Sequence, residues 1–323
     1  MPRLSLFAFL TYALGVPALA QAQTFPAKPI RIVTEFAPGS SGDLSLRAII
    51  DRWTQSAGQP IVLENRPGAG GVVAAQAVVQ SAPDGYALLG ATANVPVTRV
   101  HLARNNSINP ERDLTPITQL TETAAALIVL PGFPAGNLKE FLDYARRNPG
   151  KLSFASSGVG STHHLSGEQI KLITGIDMVH VPYKALQLAV QDVVAGQIPA
   201  SFSTTGEAIA HVKAGKLKVI AVVSSQRFAL WPEVATVSET LAEFEPPPLW
   251  VGLFGPGGMP AALVQRIYAD VARVLGDSSV REKISAMGTR PVGSRPEEFV
   301  ALMKRQSAAM GRVVKAAGIQ PID

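Results

Sequence analysis

The 323-residue sequence contains no cysteine, so no disulfide, thiolate nucleophile or cysteine-ligated metal contributes to it. Stability has to come from buried apolar surface, and a chain of this length can bury one large or two medium cores. Aromatic residues are only 6% and charged residues 16% of the chain. Lys and Arg are scattered without a basic run, which argues against a nucleic-acid partner. The net charge of +5 draws in small anions only weakly at physiological salt. Beyond Val16 no apolar run is long enough to cross a membrane.

Catalytic signatures are equally scarce. There is no G-x-S-x-G, no H-E-x-x-H and no pair of carboxylates in an obvious loop. The nearest approach to a phosphate-binding P-loop, Ala210 to Leu217, has alanine for its first glycine and leucine for its final hydroxyl residue. Gly158-Val159-Gly160 lacks the third glycine of a dinucleotide fingerprint. His163 and His164 are adjacent, so on a helix they diverge and make a poor metal pair. A Ser161/His163/Asp43 triad would need neighbouring side chains on one helical turn to align. No enzyme activity, cofactor or metal is therefore expected.

What is present begins with an export pattern. Arg3 supplies a positive start, Leu4 to Val16 an apolar stretch, and Ala18-Leu19-Ala20 and Ala20-Gln21-Ala22 two small-residue cleavage sites. Residues 1–22 are thus expected to be a signal peptide, with the mature protein in the periplasm.

From Pro29 onward the pattern alternates. Ile30 to Glu35, Ile61 to Glu64 and Tyr86 to Ala91 are expected strands; Leu44 to Gln55 and Gly70 to Gln80 are expected helices. Such a βαβαβ order implies a parallel sheet covered by helices, with functional loops at the strands' carboxyl ends. A polar, turn-rich segment, Asn105 to Asp113, follows, then a strand over Ala125 to Leu130. A second alternation places strands at Leu152 to Ala155, Met178 to Val181, Ile198 to Phe202 and Leu217 to Val223, with helices between them. A strand over Leu249 to Phe254 and three helices complete the chain. This is an α/β protein of two domains, expected at 23–124 with 226–323 and at 125–225. The chain crosses twice, near Leu120 to Ala125 and near Ser224 to Val237, which makes a hinge and a cleft.

Two loops repeat one logic: strand, Gly/Ser turn, helix start. One comprises Phe36, Pro38, Gly39, Ser40, Ser41, Gly42 and Asp43; the other includes Ser157, Gly160, Ser161, Thr162 and His163. Glycine permits a tight turn, and the helix start offers unpaired N–H groups and the positive end of its dipole. Such a turn suits an anion, and it equally suits an ordinary capped connection. Asp43, which would repel an anion, is placed as the N-cap of a helix beginning at Leu44. Thr92 and Asn94, after the third strand, and Thr204, after the strand Ile198 to Phe202, complete the carboxyl-end candidates.

The Phe36-to-Asp43 block, Glu64-Asn65-Arg66-Pro67-Gly68-Ala69-Gly70-Gly71, Ala82-Pro83-Asp84-Gly85-Tyr86, Phe154-Ala155-Ser156-Ser157-Gly158 with His164-Leu165, and His180-Val181-Pro182-Tyr183-Lys184 are familiar together. With Ala214-Gly215-Lys216-Leu217 and Val313-Val314-Lys315-Ala316-Ala317-Gly318-Ile319, they resemble the Bug family, the TctC-like periplasmic receptors of tripartite tricarboxylate transporters. The resemblance spans essentially the whole mature chain in order, and the Glu64-to-Gly71 block is specific. It implies a two-domain periplasmic-binding-protein ("Venus flytrap") fold with two chain crossings at the hinge. It also implies a monomer that hands a small carboxylate to integral membrane subunits, the ligand being gripped by the two loops through amides, hydroxyls and water.

The chain departs from the family at Ser40, where a second glycine is usual, and at Ala185-Leu186-Gln187-Leu188, where Gly and small residues usually follow Pro-Tyr-Lys. Lys184, Ala185 and Leu186 are accordingly expected among the ligand-binding residues, with Ala185 and Leu186 making the pocket more apolar than its relatives'. The alternative is that Leu186 starts a helix and points into the core with Val190. A ligand sensor for a membrane signalling protein and an exported hydrolase of small acids are the alternatives. Mass spectrometry of the exported protein is expected to find a terminus just after Ala20 or Ala22; soluble protein that keeps Met1 or Pro2 would refute the signal peptide.

Overall fold

The computed structural model describes residues 25–321; the expected signal peptide lies outside them. Strands β1 (Ile30–Thr34), β2 (Ile61–Asn65) and β3 (Ala87–Thr92) are parallel, with β1 in the middle. β1 can be central because Ile30, Ile32 and Val33 bury both of its faces. The first sheet adds β4 (Leu114–Thr123), β10 (Trp250–Pro256) and β11 (Thr289–Pro291), in the order β11-β4-β10-β3-β1-β2. The second contains β5 (Ala125–Val129), β6 (Leu152–Ser156), β7 (Met178–Pro182), β8 (Ala200–Thr204) and β9 (Lys218–Val223), in the order β7-β6-β8-β5-β9.

The expected parallel βαβαβ unit is there as β2-β1-β3, and antiparallel strands make both complete sheets mixed. β10 runs antiparallel to β3 and β4, and β5 antiparallel to β8 and β9. The sequence pattern also misses β4 and β11. β4 reads Leu-Thr-Pro-Ile-Thr-Gln-Leu-Thr-Glu-Thr, and its proline and threonines resemble a loop more than a strand. Its ladder with β10 tolerates Pro116 because the register slips between Leu253 and Phe254, opposite Thr118 and Pro116.

Each sheet carries a core on both faces, so each lobe has three layers. On one side of the first sheet Ile32, Leu46 and Trp53 meet Ile267 and Val271 of the helix Ala261–Gly276. On the other side Val33, Leu89 and Phe254 meet Phe299 of the helix Pro296–Ala316. The second sheet buries Phe141, Phe154 and Phe202 on one face and Val190, Val193 and Val222 on the other.

The chain leaves the first sheet at Thr123 and enters the second at Ala125, so a single residue, Ala124, separates them. The return falls later than residue 226. Trp231, Val237 and Phe244 pack into the second sheet's cores, and Val222 bonds Ala235. Only at Pro246–Leu249 does the chain head back to β10. The last helix joins the lobes again, through Met310 and Val313 against Leu165.

Phe202 is fully buried edge-to-face on Phe154, with ring centroids 5.6 Å apart. Phe202→Ala is expected to cost about 3–5 kcal/mol, read from urea unfolding. A loss under about 1 kcal/mol would mean that this core repacks freely.

Candidate functional site

The loops after β1 and β6 are built alike. Helix Ser41–Ala57 is capped by Ser40, whose Oγ accepts from Asp43 N–H; helix Thr162–Thr174 is capped by Ser161, whose Oγ accepts from His164 N–H. Before each cap stands a glycine in the left-handed region, Gly39 at φ 80° and Gly160 at φ 77°. That backbone turns the glycine N–H back onto the helix's first turn. Gly39 donates to Asp43 Oδ2 at 2.8 Å, and Gly160 donates to His164 Nδ1 at 3.0 Å. In both loops the acceptor is the third helical residue.

Cross-bracing fixes the rest. Asn65 Nδ2 donates to Asp43 Oδ1 and to the Phe36 carbonyl, at 2.8 and 2.9 Å. Arg47 donates to both Asp43 oxygens, at 2.8 and 3.1 Å. The Arg47 guanidinium, with Asn65 and the Gly39 amide, holds the Asp43 carboxyl down to about 2. Gly42 leaves room for the Phe36 ring, which a β-carbon there would meet at 2.4 Å. In the second loop Ser157 Oγ pairs with His163 Nδ1 at 2.9 Å, and Ser156 Oγ with His180 Nε2 at 2.6 Å. Burial holds His163 at about 4, so it is neutral at ordinary pH.

Between the lobes lies a cavity of about 390 Å³. The first turns of both helices reach it through Ser41, Gly42, Thr162 and His163, and Thr204, the N-cap of helix Thr205–Lys213, adds a third helix start. The floor comes from the strands where the lobes join: Thr121 and Thr123 of β4, Thr289 of β11, and Leu249, Trp250 and Val251 around the start of β10. Among the described residues no Lys, Arg, Asp or Glu lines it. One end is therefore rich in N–H and hydroxyl donors, and Phe36, Pro248, Leu249 and Trp250 give the cavity an apolar wall.

Comparison with known proteins places this architecture. Residues 46–319 match the family described as tripartite tricarboxylate transporter family receptor. The chain belongs to that family. BugT of Bordetella pertussis is 30% identical over 307 residues, covering 94% of each chain. An adipate-bound protein of Rhodopseudomonas palustris is similar at 28% identity and a TM-score of 0.72, over 92% of this chain and all of that one. MatC of the same organism, solved with malate, is similar at 31% identity and a TM-score of 0.67, over 90% of this chain and all of that one.

In this receptor the cavity gathers Phe36, Ser41, Gly42, Thr92, Asn94, Ser157, Gly160, Ser161, Thr162, His163 and Thr204 of the residues singled out from the sequence. Others stand elsewhere. Ser40, not Asp43, is the cap, and the helix begins at Ser41 rather than Leu44. Asp43, fully buried, braces the loop from behind with Gly39, while Pro38 is exposed on its outside. Lys184 is exposed, and Ala185 lies outside the cavity lining. Leu186 opens the helix Leu186–Val194 and points into the core with Ala155, Ala189 and Val190. The apolar surface expected from Ala185 and Leu186 is instead that of Phe36, Leu249 and Trp250.

Sequence reasoning overlooked Ser45, Thr98 and the strand-derived floor, whose partners are distant in sequence. Thr123 and Thr289 hydroxyls lie 3.2 Å apart across β4 and β11. It also overlooked Glu35, just behind the cavity, which accepts the Thr92 N–H at 2.6 Å. Burial pushes the Glu35 carboxyl up, against the smaller opposing pull of Thr92.

The Asp43 brace has a pH signature. A carboxyl whose folded pKa is depressed to about 2 stabilises the native state above its unfolded value of about 3.9, and that stabilisation is lost as pH falls through the folded value. Asp43→Asn is expected to destabilise the receptor by about 1–2 kcal/mol at neutral pH, allowing for screening at the half-exposed Arg47. Its unfolding curve should converge on that of wild type between about pH 4 and pH 2. A pH-independent gap would show that the carboxylate's charge is not what braces the loop.

Proposed function

We propose that this chain is a periplasmic receptor that closes its two lobes on a small carboxylate and delivers it to membrane subunits of a tripartite transporter. The observation that carries the proposal is three helix starts converging on a cavity that, among the described residues, no Lys, Arg, Asp or Glu lines. A carboxylate seated there would accept from backbone N–H groups and from the hydroxyls of Ser157, Ser161 and Thr162, with no cation needed. Bonds to a charged group contribute roughly 1.5–3 kcal/mol each, and each helix dipole roughly 0.3–1. Three or four such bonds offset the association cost and leave a micromolar affinity, about −8.2 kcal/mol. The apolar wall of Phe36, Leu249 and Trp250 suits a carbon chain behind the carboxylate, and the threonines of the floor suit a polar far end. The adipate and malate held by the two structural relatives support this ligand class.

Export and action as a monomer belong to the same proposal. A hydrolase is the weaker reading of the cavity. Ser157 and His163 are hydrogen-bonded, yet His163 Nε2 has no partner among the described residues, so no carboxylate orients the imidazole as a general base requires. Turnover of carboxylate esters by the purified protein would overturn the receptor proposal.

Thermal shift against malate, succinate, adipate and benzoate is the direct test. A true ligand at 100 times its Kd adds about 2.7 kcal/mol of stability. Thr162→Val should weaken that ligand about tenfold, the worth of one hydrogen bond to charge, and leave the unliganded melting point unchanged. Unchanged affinity would remove the second helix start from the site.

A further inference from the structure

The two loops differ in one chemically decisive place. The acceptor that turns the glycine N–H inward is a carboxylate in the first lobe and an imidazole in the second. A carboxylate braced by Arg47 stays ionised at every ordinary pH. An imidazole accepts a backbone N–H only through an unprotonated nitrogen. Because His164 Nδ1 accepts from Gly160, its proton resides on Nε2, which lies 3.8 Å from Glu168 Oε1. We propose that His164 is a positioning residue for the second-lobe anion loop, and that a proton added to its Nδ1 releases that loop and the ligand it holds. The release of ligand rests on the receptor function proposed above; the movement of the loop does not.

The chemistry is a single proton transfer from solvent. Once Nδ1 carries hydrogen, two N–H groups face each other 3.0 Å apart, and the Gly160 amide loses its only acceptor among the described residues. Gly160, Ser161 and Thr162 all line the cavity, so their displacement moves the donors that would grip an anion. In the first loop Asp43, held down to about 2, keeps accepting the Gly39 N–H throughout the histidine range.

The surroundings set how the imidazole answers to acid. His164 is stacked on His180, with ring centroids 3.8 Å apart and planes 20° apart, and two charged rings cannot share that stack. Glu168 and Lys171 are the charged groups on its own helix, joined to each other at 2.9 Å. Strands β6 and β8, beneath, contribute no ionisable side chain, and β7 contributes only His180. The helix Pro296–Ala316 meets this helix through Leu165, Ala309, Met310 and Val313, all apolar. Burial lowers the His164 pKa below the ordinary value, Glu168 raises it in part, and Lys171 lowers it further. The neutral form therefore dominates at pH 7, and Glu168 stands ready to receive the charged ring as pH falls below the usual histidine range.

The test uses the full mature chain. Without ligand, ¹⁵N NMR titration from about pH 7.5 to about pH 4.5 spans the histidine range. It should show His164 protonated on Nε2 alone at the start, and a Gly160 amide that shifts with the His164 titration. The Gly39 amide, held by Asp43, should stay put above about pH 5. His164→Asn keeps an acceptor at the Nδ1 position without a titrating group, and its Gly160 amide should not move; His164→Asp, which copies the first loop, serves if the asparagine variant fails to fold. From about pH 7.5 down to about pH 4.5, calorimetry with adipate should give binding to wild type that weakens as His164 titrates, toward about tenfold once it is fully protonated, the loss of one hydrogen bond. The asparagine variant should vary less than about twofold over that range.

A Gly160 amide indifferent to the His164 titration overturns the positioning role. An asparagine variant that loses adipate with acid as wild type does overturns the proton-linked release. If the amide moves as expected but adipate does not bind at any pH, the positioning role stands and the choice of ligand falls with the receptor proposal.

Discussion

The site depends on one hydrogen bond, made twice: a left-handed glycine N–H donated to the side chain of the third residue of the helix that follows. A helix start offers several N–H groups with no partner in the helix. Left alone, a glycine N–H just ahead of it would compete for any ligand or need water of its own. Tying that N–H back onto Asp43 or His164 removes it from the competition and fixes where the remaining donors face. Most of the loop's other features serve this geometry. Asn65 and Arg47 steady one acceptor, while His180 and Glu168 flank the other.

The cavity floor rests on a different constraint, the place where the chain changes sheets. β4 ends and β5 begins on either side of Ala124, so hydroxyls of Thr121 and Thr123 sit at the pivot. Glu122, between them, accepts from Ser225, beyond the end of β9, and from Arg290 of β11. Elements far apart in the sequence thus meet at the joint, and a rotation of one lobe on the other turns about the residues that floor the cavity.

The parts of the site that were legible in the sequence are those whose chemistry is local. Gly39, Ser40, Gly160 and Ser161 declare a tight turn and a cap by composition alone, and their position after a strand declares the carboxyl end of a sheet. The cap assignment slipped from Ser40 to Asp43 because both are good caps, and only the braces from Asn65 and Arg47 decide between them. β4 was illegible because threonine and proline carry no strand pattern until β10 lies beside them. Leu186 was misplaced for a related reason: which way a helix's first residue points depends on the rotation that Ala189 and Val190 impose by packing. Thr289 reaches Thr123 across 166 positions, and no local pattern announces such a pairing.

The second lobe is a continuous stretch, from Ala125 to about Phe244, whereas the first is assembled from both ends of the chain. Domains tend to fold as units in the order in which they emerge. Here the amino-terminal β1, β2 and β3 emerge first yet lack their neighbour β10 and the covering residue Phe299 until nearly the whole chain has passed. The later-made lobe is therefore complete before the earlier one, and β3 spends that interval as an open sheet edge, buried on both faces in the finished protein but uncovered while it waits. An edge of that kind invites pairing with other strands, so the cost of wrapping one lobe around another is borne during biogenesis rather than in the folded receptor.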